Sequence, residues 1–516
     1  MRFVLFTVFT QFSSLIFSQG QGFLKEYQGV NSNTVYAYGL CPLNNGGSLH
    51  FLNQSIGGEF NKLDANGNVI WSRSVGMGTS EFHYMGKVGQ AADGNYFVLS
   101  YYMEMFNMYS GYQLLKTDTN GMMIWAKEYL PGTTVAMPSI HNYSNGDYVM
   151  AFGYPNKTRV IRTDASGNIL WDRSFTPDTT GYKDAVLKIE KTENGGTLVL
   201  GYLTGGNFYL FELDTAGMVL WDKTYRPQNC TGALIVSDMT RLSNGEIALC
   251  GYEMNSSGSF YGCLLFLDNT GNILNTKDYN PPSYMFQHIE NFQNGELIIS
   301  AMDGDSMYPT LLHSSITGVI LNAKSFSSLN AMNSDNFISL KQPNEILFNF
   351  SNTVLSSGNT NALIGHFPLS SLPYLCGVST MSFSSFPGPC IPNITTGLMQ
   401  TNYTDPPTPR TPSMLSANLP STVYCNSIGV QELSTLHFSV FPNPSVGIVE
   451  VRAEGINVDH IQMEIYDLIG QRVMVQELNS DVTTIDLSAL PSGNYIYRFV
   501  NSDTIHSSGP LVILRN

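Results

Sequence analysis

The sequence predicts an all-β chain built from a repeat of about fifty residues, and three observations carry that prediction. The first is a phrase typified by Asp64-Ala65-Asn66-Gly67-Asn68-Val69-Ile70-Trp71, which returns at Asp118/Gly121/Trp125, Asp164/Gly167/Trp171, Asp214/Gly217/Trp221 and Asp268/Gly271/Asn275, and fades at Ser315/Gly318/Asn322. Its six glycines are spaced 54, 46, 50, 54 and 47 residues apart. The second is a counterpoint of turns at Asn45-Gly46, Asp93-Gly94, Asn145-Gly146, Asn194-Gly195, Asn244-Gly245 and Asn294-Gly295, with a degenerate copy at Pro343-Asn344. The third is composition: 12% aromatic and only 13% charged residues, with 47 glycines, favours strands and tight turns over helices.

Each turn has a physical reading. Asn-Gly and Asp-Gly favour hairpins whose two central residues both take positive φ. An apolar strand follows, as in Thr197-Leu198-Val199-Leu200-Gly201. Strand A therefore precedes the Asn-Gly turn, B follows it, C leads into the Asp-x-x-Gly turn, and D holds the Trp. Four antiparallel strands per repeat describe a propeller blade.

The two phrases differ in number: seven A–B turns stand against six C–D turns. Strand D carries an aromatic, a base two residues on and then an aromatic, as in Trp125-Ala126-Lys127-Glu128-Tyr129. The same pattern stands alone near the N-terminus as Phe23-Leu24-Lys25-Glu26-Tyr27. It is expected to supply the outer strand of the last blade, closing a seven-bladed β-propeller and removing its free edges.

Residues 1–18 begin Met1-Arg2, continue through an apolar stretch and end on small residues, as a secretory signal peptide does. No later segment has the roughly 18 apolar residues of a membrane-spanning helix. The net charge of −15 and the lack of any basic run argue against nucleic acid as a partner. The propeller is expected over residues 19–368, and a Pro/Ser/Thr-rich linker with cysteines over 369–435. Among the seven cysteines, Cys250 and Cys263 flank one hairpin as if to face each other, and Cys376 and Cys390 bracket a small loop.

Single carboxylates in the Asp-x-x-Gly turns, with no Glu at calcium-loop distance, read as turn chemistry. The phrase resembles the sialidase Asp-box and the tryptophan-docking motif of quinoprotein propellers. Neither an adjacent cysteine pair nor an arginine triad accompanies it here. No zinc pattern, phosphate loop or nucleophile elbow is present, so no cofactor, metal or catalytic residue is assigned. The B–C and D–A loops lie on the face opposite the glycine turns and vary in length, which is where binding usually resides. Candidate ligand residues there are His83, Tyr84, Tyr101, Tyr102, Tyr109, Tyr154, Tyr182, Tyr284 and Tyr308. His83, His141 and His288 sit in or just before A strands of different blades, near the expected channel.

The last 81 residues, 436–516, are separate in character. They carry Pro442-Asn443-Pro444, then Asp467-Leu468-Ile469-Gly470, then Leu490-Pro491-Ser492-Gly493-Asn494-Tyr495, with strand alternation in between. By these motifs and their order the segment resembles the type A C-terminal sorting domain of the type IX secretion system. Gly509-Pro510 stands where that family usually has a Lys. The resemblance implies a small immunoglobulin-like β-sandwich, type IX machinery as a partner, and a secreted or outer-surface location. With no catalytic motif in hand, a binding or adhesion protein for a glycan or surface protein is the leading expectation. A glycan hydrolase or lyase using the loop face and a structural surface protein are the alternatives.

Overall fold

The computed structural model describes residues 22–514 apart from 28–34, 55–56, 77–80, 105–109, 131–137, 155–156, 177–183, 204, 229–232, 256, 293–294, 307, 327–336, 343–344, 354–359, 369–378, 388–390, 397, 404–407, 410–412, 417–420, 429–436, 455–460, 468–470, 479 and 502–503. The expected signal peptide, the Pro343-Asn344 turn and the Cys376/Cys390 loop lie outside the described residues. The chain divides into two compact units, Met1–Gly429 and Val430–Asn516. Among the described residues every named element is a strand, and the paired strands of the sheets run antiparallel.

The first unit opens with β1 (Gly22–Tyr27). Six groups of four strands follow. They are β2–β5 (Val35–Pro42, Ser48–Gln54, Gly57–Leu63, Val69–Gly76), β6–β9 (Glu81–Gln90, Tyr96–Glu104, Ser110–Thr117, Met123–Tyr129) and β10–β13 (Ser139–Asn142, Tyr148–Tyr154, Lys157–Thr163, Ile169–Thr176). Next come β14–β17 (Asp184–Lys191, Thr197–Leu203, Asn207–Leu213, Val219–Gln228), β18–β21 (Ala233–Arg241, Ile247–Met254, Phe260–Leu267, Ile273–Asn280) and β22–β25 (Tyr284–Asn291, Leu297–Asp303, Pro309–Ser314, Ile320–Ser325). A final group, β26–β28 (Phe337–Gln342, Glu345–Thr353, Thr360–Pro368), holds three strands, and β1 completes it by pairing with β28, Phe23 opposite His366 and Tyr27 opposite Ala362.

Each of these seven sheets then gains a fifth strand from the segment expected as a linker. The short strands are β29 (Ser379–Thr380), β30 (Ser384–Pro387), β31 (Ile391–Thr395), β32 (Met399–Tyr403), β33 (Thr408–Pro409), β34 (Ser413–Ser416) and β35 (Ser421–Ile428). They pair in reverse order with β25, β21, β17, β13, β9, β5 and β1. The prolines make the segment extended, as the sequence requires. Extended chain beside an open sheet edge satisfies its backbone by joining that edge, so a belt results rather than a free tether.

The first strands of the seven sheets touch in a closed circuit, β2–β6–β10–β14–β18–β22–β26 and back to β2. Apolar cores fill the spaces between consecutive sheets. The one between the last and first sheets holds Phe23, Tyr27, Leu347 and Ile364 on one side and Val35, Leu52 and Leu63 on the other.

The glycine turns differ in type from the expectation. Gly46 and Gly67 have φ of 88° and 71°, while Leu130 and Ser283 alone among described non-glycine residues have positive φ. Only one residue per turn is therefore left-handed. Asp64 N donates to Asn68 O and Gly67 N to Asp64 O, which is a type I turn followed by a glycine bulge. The Asp of the phrase caps this turn. Asp268 accepts from the amides of Thr270 and Asn272 at 2.9 Å each; partial burial raises its pKa, but these bonds and the side chains of Asn272 and Thr270 outweigh it and hold it at about 2.

The aromatic-x-base-x-aromatic pattern of strand D staples one sheet to the next at several of the seams. Tyr129 donates to Gly167 O at 2.7 Å, Tyr225 to Gly271 O at 2.6 Å and Tyr279 to Gly318 O at 2.6 Å. Lys127 reaches Asn168 Oδ1 at 2.6 Å, and the Trp71 indole reaches Thr119 O at 3.1 Å. The N-terminal copy does the same across the seam: Lys25 donates to Asn68 Oδ1 at 2.7 Å and Tyr27 to Gly67 O at 2.6 Å. Tyr27→Phe is expected to cost about 1–2 kcal/mol, measured by denaturant unfolding, because Gly67 O loses a buried donor.

Cys250 and Cys263 do not face each other. Cys250 lies opposite Leu264 and Cys263 opposite Gly251, a one-residue offset that sends the two side chains to opposite faces of the sheet. Cys263 packs in the core toward β16 and Cys250 in the core toward β22; both are free and buried.

The second unit has two sheets. One is formed by β36 (His437–Phe441), β37 (Ile448–Glu454) and β40 (Val482–Asp486); the other has the order β39 (Arg472–Glu477), β38 (Gln462–Tyr466), β41 (Gly493–Asn501) and β42 (Thr504–Ile513). Val449, Val451 and Ile485 from the first share one core with Met463, Phe499 and Leu511 from the second.

Candidate functional site

In the first unit, the inner strands position one mixed-charge cluster. Five of them, β2, β6, β14, β18 and β22, carry a register shift at the same level, between Ala37 and Gly39, Tyr84 and Lys87, Val186 and Lys188, Val236 and Asp238, and Phe286 and His288. A bulge bends its strand and re-aims the following side chain. Lys87, Lys188, Asp238 and His288 are thereby turned, with Ser139 of β10, into a cavity of about 230 Å³ that is also lined by Tyr38, Leu40, Val88 and Glu290. Six of the seven inner strands contribute to it.

Lys188 is the centre of the charge. Its Nζ lies 3.2 Å from Asp238 Oδ1, 3.4 Å from Glu190 Oε1 and 3.5 Å from Glu290 Oε1. Asp238 is further fixed by the amide of Met239 at 2.8 Å, the amide of Ile289 at 3.1 Å and the His288 ring at 3.2 Å. Glu190 accepts from Arg241 N at 3.0 Å. Three carboxylates from three sheets thus share one ammonium, and Asp238 and Glu190 are each also held by a backbone amide of the next inner strand.

The electrostatics follow from that geometry. Burial alone would lower Lys188, but Asp238, Glu290 and Glu190 hold it well above the usual lysine range. Burial pushes Asp238 up, yet Lys188 and the His288 hydrogen bond overcome it and bring it to about 2. For Glu290 burial prevails over Lys188 and raises it to about 7. Glu190 is raised for the same reason. Of the three carboxylates, Asp238 is thus held ionised, while burial disfavours ionisation of Glu290 and Glu190. Among the described residues no group of three or more His, Cys, Asp or Glu has the arrangement of a metal site.

The sequence-predicted loop-face residues are dispersed. His83, Tyr101, Tyr102 and Tyr284 are buried inside sheets: His83 is hydrogen-bonded to Ser100 at 3.0 Å, Tyr102 donates to Glu128, and Tyr101 packs edge-on to Tyr112. Their aromatic bulk is sheet packing rather than open surface. Tyr308 is half-buried, Tyr84 and Tyr154 lie within β6 and β11, and Tyr109 and Tyr182 fall outside the described residues. Of the three histidines, only His288 lines the cavity. His141 is hydrogen-bonded to Thr197 Oγ1 at 3.2 Å.

Lys188, Asp238, Glu190 and Glu290 escaped the sequence reading. A signal for them exists: Lys188, Asp238 and His288 are fifty residues apart and occupy one column of the repeat, where alternation is interrupted.

In the second unit the sorting motifs have structural work. Asn443 donates to Pro510 O at 2.7 Å and accepts from Val512 N at 2.9 Å, so Pro442-Asn443-Pro444 fastens β42. A Cβ at Gly509 would come within 2.5 Å of the Tyr497 hydroxyl, which accounts for a glycine at that departure. Asp467 Oδ1 accepts from Gln471 N at 2.8 Å, capping its turn; Gly470 lies outside the described residues. Leu490 is in the core, Tyr495 donates to Pro491 O at 2.8 Å, and Gly493 begins β41.

Residues 439–513 match the secretion system C-terminal sorting domain family. Such a domain implies engagement by type IX secretion machinery and export to the cell surface or beyond it. No curated protein matches the chain. Among solved structures, it is similar to a protein of unknown function from Dyadobacter fermentans DSM 18053, at 10% identity and TM-score 0.37, over 67% of this chain and 98% of that one. It is similar to the polysaccharide lyase Uly1 at 9% identity and TM-score 0.40, over 63% and 88%. A variant of NanB sialidase from Streptococcus pneumoniae shares 11% identity at TM-score 0.36, over 65% and 67%. None of these likenesses assigns a chemistry to this chain. Among the described residues no helix is long and apolar enough to cross a membrane.

Proposed function

We propose that this chain is an exported, surface-displayed or released binding protein: a seven-bladed β-propeller that carries a ligand site, followed by an immunoglobulin-like sorting domain that directs export. In this reading residues 1–18 are a signal peptide and residues 436–516 the sorting domain, the latter supported by the family match over 439–513. The seven sheets, the closed circuit of inner strands and the seam staples of Lys25 and Tyr27 support the ring. The belt pairing supports extending the propeller through Ile428, past the 368 boundary expected from sequence.

The observation that carries the binding reading is the cavity, where side chains from six inner strands meet at one level on a rigid scaffold. The candidate loop-face residues that stay in play beside it are Tyr84, Tyr109, Tyr154, Tyr182 and Tyr308. Binding of the mature chain to a glycan array, with a parallel pull-down from outer-surface extracts, tests the reading. A reproducible ligand supports it, and silence in both assays favours a purely structural surface protein. For export, fusing residues 436–516 to a periplasmic reporter in a type IX-competent host is expected to move the reporter outside the cell. Retention in the periplasm would count against the address.

A second reading, a glycan hydrolase or lyase, is favoured by one feature: Asp238, Glu290 and His288 converge with one carboxyl near neutrality. Turnover of any array-positive glycan, abolished in Glu290→Gln, would establish it. Binding without turnover would leave the protein a binder.

A further inference from the structure

We propose that the inner-strand cavity is a site for a single neutral, hydroxyl-rich ring, the end residue of an uncharged glycan, with Glu290, Lys87 and Ser139 as its polar contacts. This inference rests on the binding reading above and names its ligand.

The class of ligand follows from the lining. An anion entering the cavity would meet Asp238 and Glu290, and a cation would meet Lys87 and Lys188. Either would be desolvated beside like charge, which is costly unless it is paired. Lys188 is already shared by Asp238, Glu190 and Glu290, so its charge is engaged before a ligand arrives. A hydroxyl both donates and accepts, so it satisfies carboxylate oxygens and ammonium or hydroxyl donors in the same site without adding charge. Ser139 Oγ already accepts from Ile189 N at 3.0 Å, which orients its own proton toward another acceptor. Leu40, Val88 and Ile140 supply an aliphatic wall for the C–H face of a ring.

The size of ligand follows from the volume. At about 230 Å³ the cavity lies below the range of about 300–1,000 Å³ typical of drug-sized ligands. One sugar ring fits that space and a chain does not. The side chains of Lys188 and His288 are 20% exposed and that of Glu290 31%, so the cluster faces water and a ligand can reach it.

The test is calorimetric or NMR titration of the full mature chain with glucose, galactose, mannose and N-acetylglucosamine, alongside glucuronate and glucosamine as anionic and cationic counterparts. At least one neutral sugar is expected to bind, with glucuronate and glucosamine weaker by tenfold or more. Leu40→Trp, which fills the cavity, is expected to abolish binding, and Glu290→Gln to weaken it about fivefold. Melting curves of both variants at pH 6 check that the fold persists, and a variant that does not fold is replaced by Val88→Phe. Failure of every neutral sugar, tighter binding of a charged counterpart, or full affinity in the blocked variant overturns the inference. A glycan-array signal unchanged by Leu40→Trp overturns this site while leaving the binding reading intact; an array and pull-down that are both silent remove the reading itself.

Discussion

A chain that stops at Pro368 is expected to lose its cooperative melt and to aggregate, while one that stops at Gly429 melts like the intact first unit. The difference is the belt. Without residues 369–428 all seven sheets lose their fifth strand, and β1 keeps β28 on one side but loses β35 on the other. Each lost pairing forfeits backbone hydrogen bonds worth about 0.5–1.5 kcal/mol apiece and opens an edge that can template association. Several such bonds per sheet, summed over seven sheets, rival a typical net stability of about 5–15 kcal/mol. The melting temperature should fall by more than about 10 °C. Equal melting of the two truncations would mean that the belt only decorates the sheets.

The second large effect is expected at Lys188. Lys188→Met leaves Asp238, Glu190 and Glu290 without their shared cation and should cost about 3–5 kcal/mol at pH 8. The loss should shrink toward pH 5, where protonation relieves the two raised acids, Glu290 and Glu190. The intact protein should show a milder trend of the same sign. Glu290, Glu59 and Asp278 are raised to about 7, Glu290 and Glu59 by burial and Asp278 by burial and then by Glu253. A raised carboxyl contributes stability in full below its unfolded pKa of about 4, and that contribution is lost as pH rises through about 7. Asp238, at about 2, works in the opposite sense and keeps its contribution across that window. Melting temperatures should therefore fall between pH 5 and pH 8, and Glu290→Gln should flatten the curve. A profile that rises with pH would contradict this assignment of the cluster.

Much of the sheet framework was legible because its signals are local. Glycine turns and the strand D pattern mark where chains reverse, and the stray copy at Phe23–Tyr27 pointed to the sheet it joins. The turn type was misjudged because Asn-Gly suits both a two-residue turn and a type I turn with a glycine bulge, and only strand register separates them. The belt was not legible: strands of two to eight residues with many Pro and Ser carry no alternation, and what orders them is an edge supplied by distant sequence. Cys250 and Cys263 were misread because a one-residue offset across a hairpin reverses the face. The charged cluster is the clearest case. Lys188, Asp238 and Glu290 are ordinary surface residues by type, and only closure of six strands around one cavity makes them a site. Conversely, Tyr101, Tyr102 and Tyr284 look like a binding surface in sequence, yet they serve as sheet packing.

The central claim is that one ring includes both ends of the first unit, with β1 held between β28 and β35. Native-state hydrogen exchange of the amides in Gly22–Tyr27 tests it most directly. These amides are expected to exchange only with global opening, at the same free energy as those of β3, β7 and β15 in the middle of the other sheets. Exchange of β1 at a markedly lower free energy, independent of those sheets, would contradict it.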